Sequence, residues 1–483
     1  MSHWLIILSG LFYLFLLFGI AYFAEFRQRK GRSIIDNAWT YALSLGVYCT
    51  AWTFFGSVGR AAESGIEFVA IYLGPTLASV LSWPVLRKLI RICRTQRITS
   101  IADLISTRYG KNFTLAIIVT LLCIFGIIPY IALQLKAIST GYTLLSGVNP
   151  GGKGIGAIFF DNTFYLTIAL SVFIILFGTR SIDASEKHEG LVAAIAFESI
   201  VKIVAFLLCG IFVTWYLFDG VGDIFNQAAM KPELKKLFTI GDGLNYSSWT
   251  ALIVLSFLAV YFLPRQFQVS VLENTSEKHL MKASWMFPLY LFVINLFVLP
   301  IAFGGKILLG SGTDGDSYVL ALPMLHHAHL LALIVFIGGF SGATSMMIVE
   351  TIALSTMVSN NIATPILLRA RNFKTGNDRK LKNTILNIRR ISILLILVLA
   401  FLYDKLVAGH FSLVSLGLIS FAAVAQLAPA VFAGLYWRNA GRKGAITGIV
   451  VGFAVWFYTL VIPSMSDSGL ISSGIVANGL FGI

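Results

Sequence analysis

Runs of about twenty mostly apolar residues recur along this chain, and that recurrence limits what it can fold into more than any other feature. A helix that crosses the hydrocarbon of a bilayer needs about 20 such residues. About twelve segments meet that length, near 4–24, 37–57, 66–86, 113–143, 162–179, 190–218, 249–272, 284–309, 328–358, 388–404, 411–436 and 444–464. Hydrophobic residues make up 57% of the 483 and charged residues 12%, where an ordinary soluble domain is about a quarter charged. No soluble core hides such a surplus. The pattern predicts an all-α polytopic membrane protein in a lipid bilayer.

The formal charge of +14 raises nucleic acid as a partner, but the placement of the charge excludes it. Lys and Arg gather in short runs between apolar segments, as at Arg27, Arg29, Lys30 and Arg32, and no basic face interleaved with aromatics appears. With the N-terminus outside and alternating sides, 27 of the 36 Lys and Arg fall in inner loops, 7 outside and 2 within spans. Cytoplasmic loops favour positive charge, so the sequence predicts a multi-pass inner-membrane protein with its N-terminus outside. The first segment lacks a basic leader and an A-x-A site, and a basic loop follows it, so it reads as a retained helix.

Enzyme chemistry finds no foothold. Cys49, Cys93, Cys123 and Cys209 are far apart and form no CxxC pair, which argues against a disulfide framework or a zinc site. His326, His327 and His329 crowd one outer loop with only Asp314 and Asp316 near them, so no metal is expected. Gly151 to Gly156 follows no strand and is no phosphate loop. The outer stretch 219–248 predicts a short surface helix around Lys231–Leu237. The sequence thus offers no catalytic residue.

Polar residues at membrane depth are the functional candidates. The second segment is small and hydroxylated from Ser44 to Thr53 and ends in Gly56-Ser57-Val58-Gly59. It reads either as a broken helix, with carbonyls free to bind a cation, or as a seam of small residues for close packing. Four ionisable residues lie inside spans: Lys136, Glu198, Lys202 and Glu350. Glu198 and Lys202 are four apart and can neutralise one another on one helix face. Lys136 and Glu350 have no local partner and are expected to pair with each other across segments four and nine, with Glu350 a protonatable coupling group. Pro264 and Arg265 read as the cytoplasmic end of segment seven, with any break upstream near Ser256 to Tyr261. Ser341, Thr344 and Ser345 share a face of segment nine. That face suits either a hard cation or hydrogen bonds back to the helix's own carbonyls.

Several stretches carry a family likeness: Ala51-Trp52-Thr53-Phe54-Phe55-Gly56-Ser57-Val58-Gly59, Ile131 to Ile138, Gly178-Thr179-Arg180, Ala196 to Lys202, Leu263-Pro264-Arg265-Gln266-Phe267, and Ala353 to Met357. Together they resemble the sodium:solute symporter family, and more closely the transporter-like input domain of carbon/nitrogen-regulating sensor histidine kinases of proteobacteria. The resemblance implies an inverted five-helix repeat, the LeuT-like fold. Residues 1–465 would form the transporter domain, with helix 1 at 4–24, repeat one at 37–218, repeat two at 249–436 and helix 12 at 444–464; 466–483 would be a tail. It implies alternating access in a bacterial inner (cytoplasmic) membrane.

By the same resemblance, sodium would be held by carbonyls of Gly46 and Cys49 and by Ser341, Thr344 and Ser345. A register anchored on Thr356 places Gly342 and Ala343 in the hydroxyl slots instead, and Tyr48 stands where some sodium symporters carry an aspartate. Sodium and proton are therefore both open as coupling ion, and no other cofactor is implied. Thr50, Trp52, Ser256 and Tyr261 would line the solute site together with Gly46 and Cys49, and the solute would be a small amino acid, histidine in particular. The kinase-type relatives continue into a linker and catalytic modules. The competing expectation is a sensory domain that signals solute occupancy to a histidine kinase in cis or in trans.

Overall fold

The computed structural model describes residues 1–148, 162–178, 188–239, 246–369 and 378–471, and the described residues are helical with connecting turns. The principal helices are α1 (His3–Arg29), α2 (Ala38–Ser44), α3 (Ser57–Ser64), α4 (Ala70–Leu81), α5 (Trp83–Gln96), α6 (Phe113–Ser146), α7 (Asn162–Gly178), α8 (Glu189–Ile211), α9 (Tyr246–Phe262), α10 (Lys278–Asn295), α11 (Val298–Leu308), α12 (His329–Met357), α13 (Asp378–Leu406), α14 (Leu413–Ala425), α15 (Ala428–Tyr436) and α16 (Arg442–Trp456). Gly151 to Gly156, Thr179-Arg180 and the tail beyond 471 lie outside the described residues. The connection between α8 and α9 carries the expected short helix, Pro232–Lys235, which runs into a tighter turn at Lys236–Phe238.

Among the described residues nine helical runs are long and apolar enough to cross a membrane, and ten if a bent pair counts as one. One of these runs, Trp52–Leu81, joins two expected segments. Gly65 divides it, with φ 58 and ψ −130. A Cβ at Gly65 would collide with the carbonyl of Leu237, so the turn between α3 and α4 demands glycine. The fifth expected segment is α7, of 17 residues.

Burial shows which helices form the centre. Of the apolar window of His329–Arg369, 83% is buried within the protein, against 33% for α1 and 22% for Arg442–Asp467. The central α12 packs on α8, α6 and α13, while α6 also supports α14. On the other side α4 lies along α9 and α10. Helices buried all round by other helices show little amphipathic pattern, which is why α12 and α6 read simply as apolar runs.

Two of the spanning segments are interrupted. The second leaves the helix at Cys49, whose φ −81 and ψ 104 are extended, and resumes through a wide turn at Trp52–Gly56. The seventh bends by 52° between α9 and Pro264–Leu272. Leu263 is extended there, with φ −64 and ψ 125, because the residue before a proline is pushed out of the helical region. The break expected upstream, near Ser256 to Tyr261, is thus displaced: those residues lie within intact α9. Pro264 does not end the segment but restarts it.

The α4–α9 seam is closely fitted. A Cβ on Gly74 would meet Ser256 Oγ and stand 2.5 Å from the carbonyl oxygen of Ile253. Gly74→Leu is expected to destabilise the protein by about 1–3 kcal/mol or more, seen as a lowered thermal midpoint of the purified chain. Gly222→Ala, on a helix with open space around it, is the control expected to leave the midpoint in place.

Candidate functional site

The interruption at Cys49 frees backbone groups in the middle of the protein, and each finds a side chain. Gln134 Oε1, from α6, accepts from the Ala51 amide at 3.1 Å, and Thr50 Oγ1 accepts from the Trp52 amide at 3.2 Å. Thr50 Oγ1 also lies 3.3 Å from Tyr130 OH and accepts from Gln134 Nε2 at 3.4 Å. The carbonyls of Gly46 and Cys49 do converge on a cation, but that cation belongs to the chain. Lys202 Nζ donates to Gly46 O at 3.0 Å and to Cys49 O at 2.8 Å, and the lysine is fully buried. The open turn seats directly on α8, since a Cβ on Gly46 would lie 2.6 Å from Ser199 Oγ.

This placement corrects the pairing of Glu198 with Lys202. The two share α8 but form no ion pair, because two carbonyls bind the ammonium more favourably than a neighbour one turn along the same helix. Glu198 Oε1 instead accepts from Thr344 Oγ1 at 3.1 Å. Thr344 Oγ1 also reaches its own helix at Phe340 O, 2.9 Å away, and Ser345 Oγ reaches Gly342 O at 3.3 Å. Ser341 Oγ donates to Glu198 O at 3.2 Å and accepts from Tyr13 OH of α1 at 2.7 Å. None of these three hydroxyls is turned to the carbonyls of Gly46 and Cys49. The residue of α12 nearest the open turn is Gly342, whose Cβ position lies 3.0 Å from the Thr50 carbonyl carbon.

A direct charged pair lies near this lysine. Arg265 Nη1 bonds Glu350 Oε2 at 3.1 Å, and both side chains are fully buried. The expected partnership of Lys136 with Glu350 is therefore corrected: Pro264 turns the chain inward and delivers Arg265 to the carboxylate. Lys136 donates instead to the carbonyls of Ala408 and Phe411, at 2.9 and 2.6 Å. The Arg265 guanidinium lies 4.4 Å from the centre of the Tyr130 ring, a cation–π contact. Its Nε and Nη2 have no hydrogen-bond partner among the described residues, nor does Tyr48 OH. Trp52, Tyr130 and Phe421 pack edge to face around this point, with Trp52 and Phe421 ring centres 4.8 Å apart. The arrangement is an aromatic box with a cation at one wall.

Thr50 and Trp52 belong to this box, but Ser256 and Tyr261 do not share it. Ser256 Oγ bonds back to Leu252 O at 2.7 Å, facing Gly74. Tyr261 OH donates to Ser82 O at 3.0 Å, between α4 and α5. The sequence reading missed Arg265, Tyr130, Gln134 and Phe421 as site residues. Arg265 had a legible signal, for Glu350 needed a cation and Pro264-Arg265 follows directly on an apolar run.

Above the box, the connection before α12 plugs onto α3. Asp316 Oδ2 accepts from the Leu413 amide at 3.0 Å. Its Oδ1 lies where a Cβ of Gly59 would stand, and Lys136 and Asp314 line the same small pocket. Burial is the main cause that lifts the Asp316 carboxyl to about 7, with Asp314 and Glu63 adding to it while the Leu413 amide and Lys136 oppose it.

No protein-family model matches the chain. The fold is the LeuT-like helical fold of membrane transporters. A substrate-bound, outward-open Na+-coupled sialic acid symporter superposes with a TM-score of 0.67 at 16% identity, over 97% of this chain and 98% of that one. By sequence the chain is similar to an uncharacterized symporter, YhjB, of Bacillus subtilis, at 27% identity over 95% of this chain and 89% of that protein. It is also similar to a sodium/proline symporter of Staphylococcus aureus, at 26% identity over 88% of this chain and 78% of that protein. These relatives and structural neighbours are transporters and not enzymes, and the chain shares their multi-pass helical fold.

Two measurements test the geometry. Replacing Glu350 alone by Leu leaves Arg265 unpaired and is expected to cost about 3–5 kcal/mol, while Arg265→Met with Glu350→Leu recovers most of it; thermal unfolding of the two variants beside the parent chain reads this. For Asp316 the folded protein holds the proton more tightly than the unfolded chain, whose carboxyl titrates at 3.8. The stability it confers is complete below that value and is lost as pH rises through about 7. Asp316→Asn is expected to flatten the fall in thermal midpoint across that range.

Proposed function

We propose that the chain is a secondary active, cation-coupled symporter of a small amino acid, whose carboxylate binds Arg265 and whose side chain lies in the aromatic box. The observation that carries this is Arg265: fully buried, neutralised through one nitrogen by Glu350, and holding two unpartnered donors beside Trp52, Tyr130 and Phe421. A guanidinium fork matches a carboxylate in two parallel hydrogen bonds. Buried donors without partners are costly, so a site that leaves them open is suited to a ligand that brings acceptors. Interrupted helices near the middle of a bundle are where transporters of this architecture bind solutes.

The relatives support the reading. Those named as sodium/proline symporters handle a solute with this carboxylate, and the sialic acid symporter is named for a carboxylate solute as well. Histidine fits the same chemistry, its imidazole suited to stacking against Trp52 and Phe421. The domain would run over 1–465, and the basic loops favour the N-terminus outside in a bacterial inner membrane.

The test is ligand-induced thermal stabilisation of the purified chain by L-histidine and L-proline, set against histamine and pyrrolidine, which lack the carboxylate. The amino acid is expected to stabilise and its decarboxylated counterpart to fail, with Arg265→Lys weakening binding by roughly tenfold or more. Equal binding of histamine and histidine would remove Arg265 as the anchor. Binding without net flux in proteoliposomes would leave a sensory domain in place of a transporter.

A further inference from the structure

We propose that the Lys202 ammonium stands in the coupling-ion position, so that this chain couples uptake to protons and not to sodium; the inference rests on the symport reading above. In transporters with discontinuous helices, carbonyls freed by the unwound turn hold the coupling ion. Here Gly46 O, which also accepts from the Cys49 amide at 3.0 Å, and Cys49 O both bind Lys202 Nζ, at 3.0 and 2.8 Å. A sodium ion brought to the same oxygens would meet a like charge at contact distance. It would also find few other oxygens, since Thr344 Oγ1 serves Glu198 and Phe340 O, and Ser345 Oγ serves Gly342 O. The backbone of Gly342 closes the remaining side.

Lysine differs from a bound metal ion in being able to discharge without leaving. Loss of one proton turns the ammonium into a neutral amine, and the proton passes to water on the cytoplasmic side. No bond other than N–H breaks. The neutral amine holds the two carbonyls much more weakly than the ammonium, because its hydrogen bonds are no longer charge-assisted, so the open turn at Cys49–Thr50 is released to rearrange. Reprotonation restores the lock. The charged and titratable groups that face Lys202 are the Cys49 thiol on the open turn, Arg265 on the seventh segment and Glu198 on its own helix. Glu198 in turn faces Thr344 of α12 and Tyr13 of α1. Arg265 repels the ammonium and Glu198 attracts it, which leaves the lysine between two opposed fields at the point where it must gain and lose a proton.

The experiment uses the full chain in proteoliposomes with labelled L-histidine or L-proline, together with radiolabelled sodium binding to the solubilised chain. Expected are no saturable sodium binding, counterflow equal in sodium and choline media, and accumulation under an inward proton gradient but not under a sodium gradient. Lys202→Arg keeps a cation that does not release its proton and is expected to abolish proton-driven accumulation. Saturable sodium binding, sodium-driven accumulation, or counterflow without proton-driven accumulation would each overturn the proposal. So would a folded Lys202→Arg variant that accumulates as the wild type does. If that variant does not fold, the wild-type gradients decide alone. If neither probe shows counterflow or accumulation, the symport reading fails, and sodium binding still decides the Lys202 assignment, with saturable binding against it and none in its favour.

Discussion

An unwound turn in a bilayer-spanning segment exposes backbone amides and carbonyls where no lipid can satisfy them, and the centre of this protein is organised around meeting that demand. Four side-chain interactions close the turn at Cys49–Thr50, and Gly46 O accepts from the Cys49 amide as well. Two helices are fixed in consequence. Gln134 sets the height of α6 against the turn, and Lys202 sets that of α8. Irregular backbone at membrane depth is tolerated only where protein or a cavity covers it, and here α6, α8 and α12 provide the cover. The hydroxyl and glycine positions on α12 follow from this, since Gly342 admits the turn and Ser341 and Thr344 tie down Glu198 beside it.

The buried charges obey the same logic. Lys202 and Lys136 are both neutralised by pairs of backbone carbonyls and not by carboxylates. Arg265 and Glu350 form a direct buried pair. Such pairs are weak sources of stability because desolvation offsets much of the attraction, so their persistence points to use. Their positions differ: Arg265 lies against the aromatic box, Lys202 under the open turn, and Lys136 holds the connection between α13 and α14 near Asp316.

Much of this was legible in the sequence. The apolar runs fix the helices because length and composition alone decide what crosses a bilayer. The small, hydroxylated second segment allowed either an interruption or a packing seam, since glycine, serine and threonine hold a helix weakly and also let helices approach closely. What stayed hidden was the partner of each buried charge. Spacing on one helix suggested Glu198 with Lys202, but a side chain as long as lysine reaches a neighbouring helix, and backbone carbonyls carry no sequence signature. Pro264 was visible, yet whether it ends a segment or restarts one depends on where Arg265 finds its carboxylate, which is a tertiary fact. Ser256 and Tyr261 were placed at the solute because their types suit one; their hydroxyls are consumed by the packing of α9 on α4 and α5.

The contact at Gly74 has a mechanical meaning. Where two helices touch backbone to backbone, neither can slide along the other without losing the fit, because no flexible side chain lies between them to absorb the shift. The α4–α9 pair is therefore a single strut, and any rocking of the molecule must divide elsewhere. The natural plane of division runs between that strut and the block of α8 and α12, which Tyr13 also clamps to α1. Cys49–Thr50 and Leu263 are the points where segments change direction between the two bodies. Under the proposed symport, the hinges and the ligand-facing groups would be the same few residues, and occupancy of the box and the angle between the bodies would be one variable.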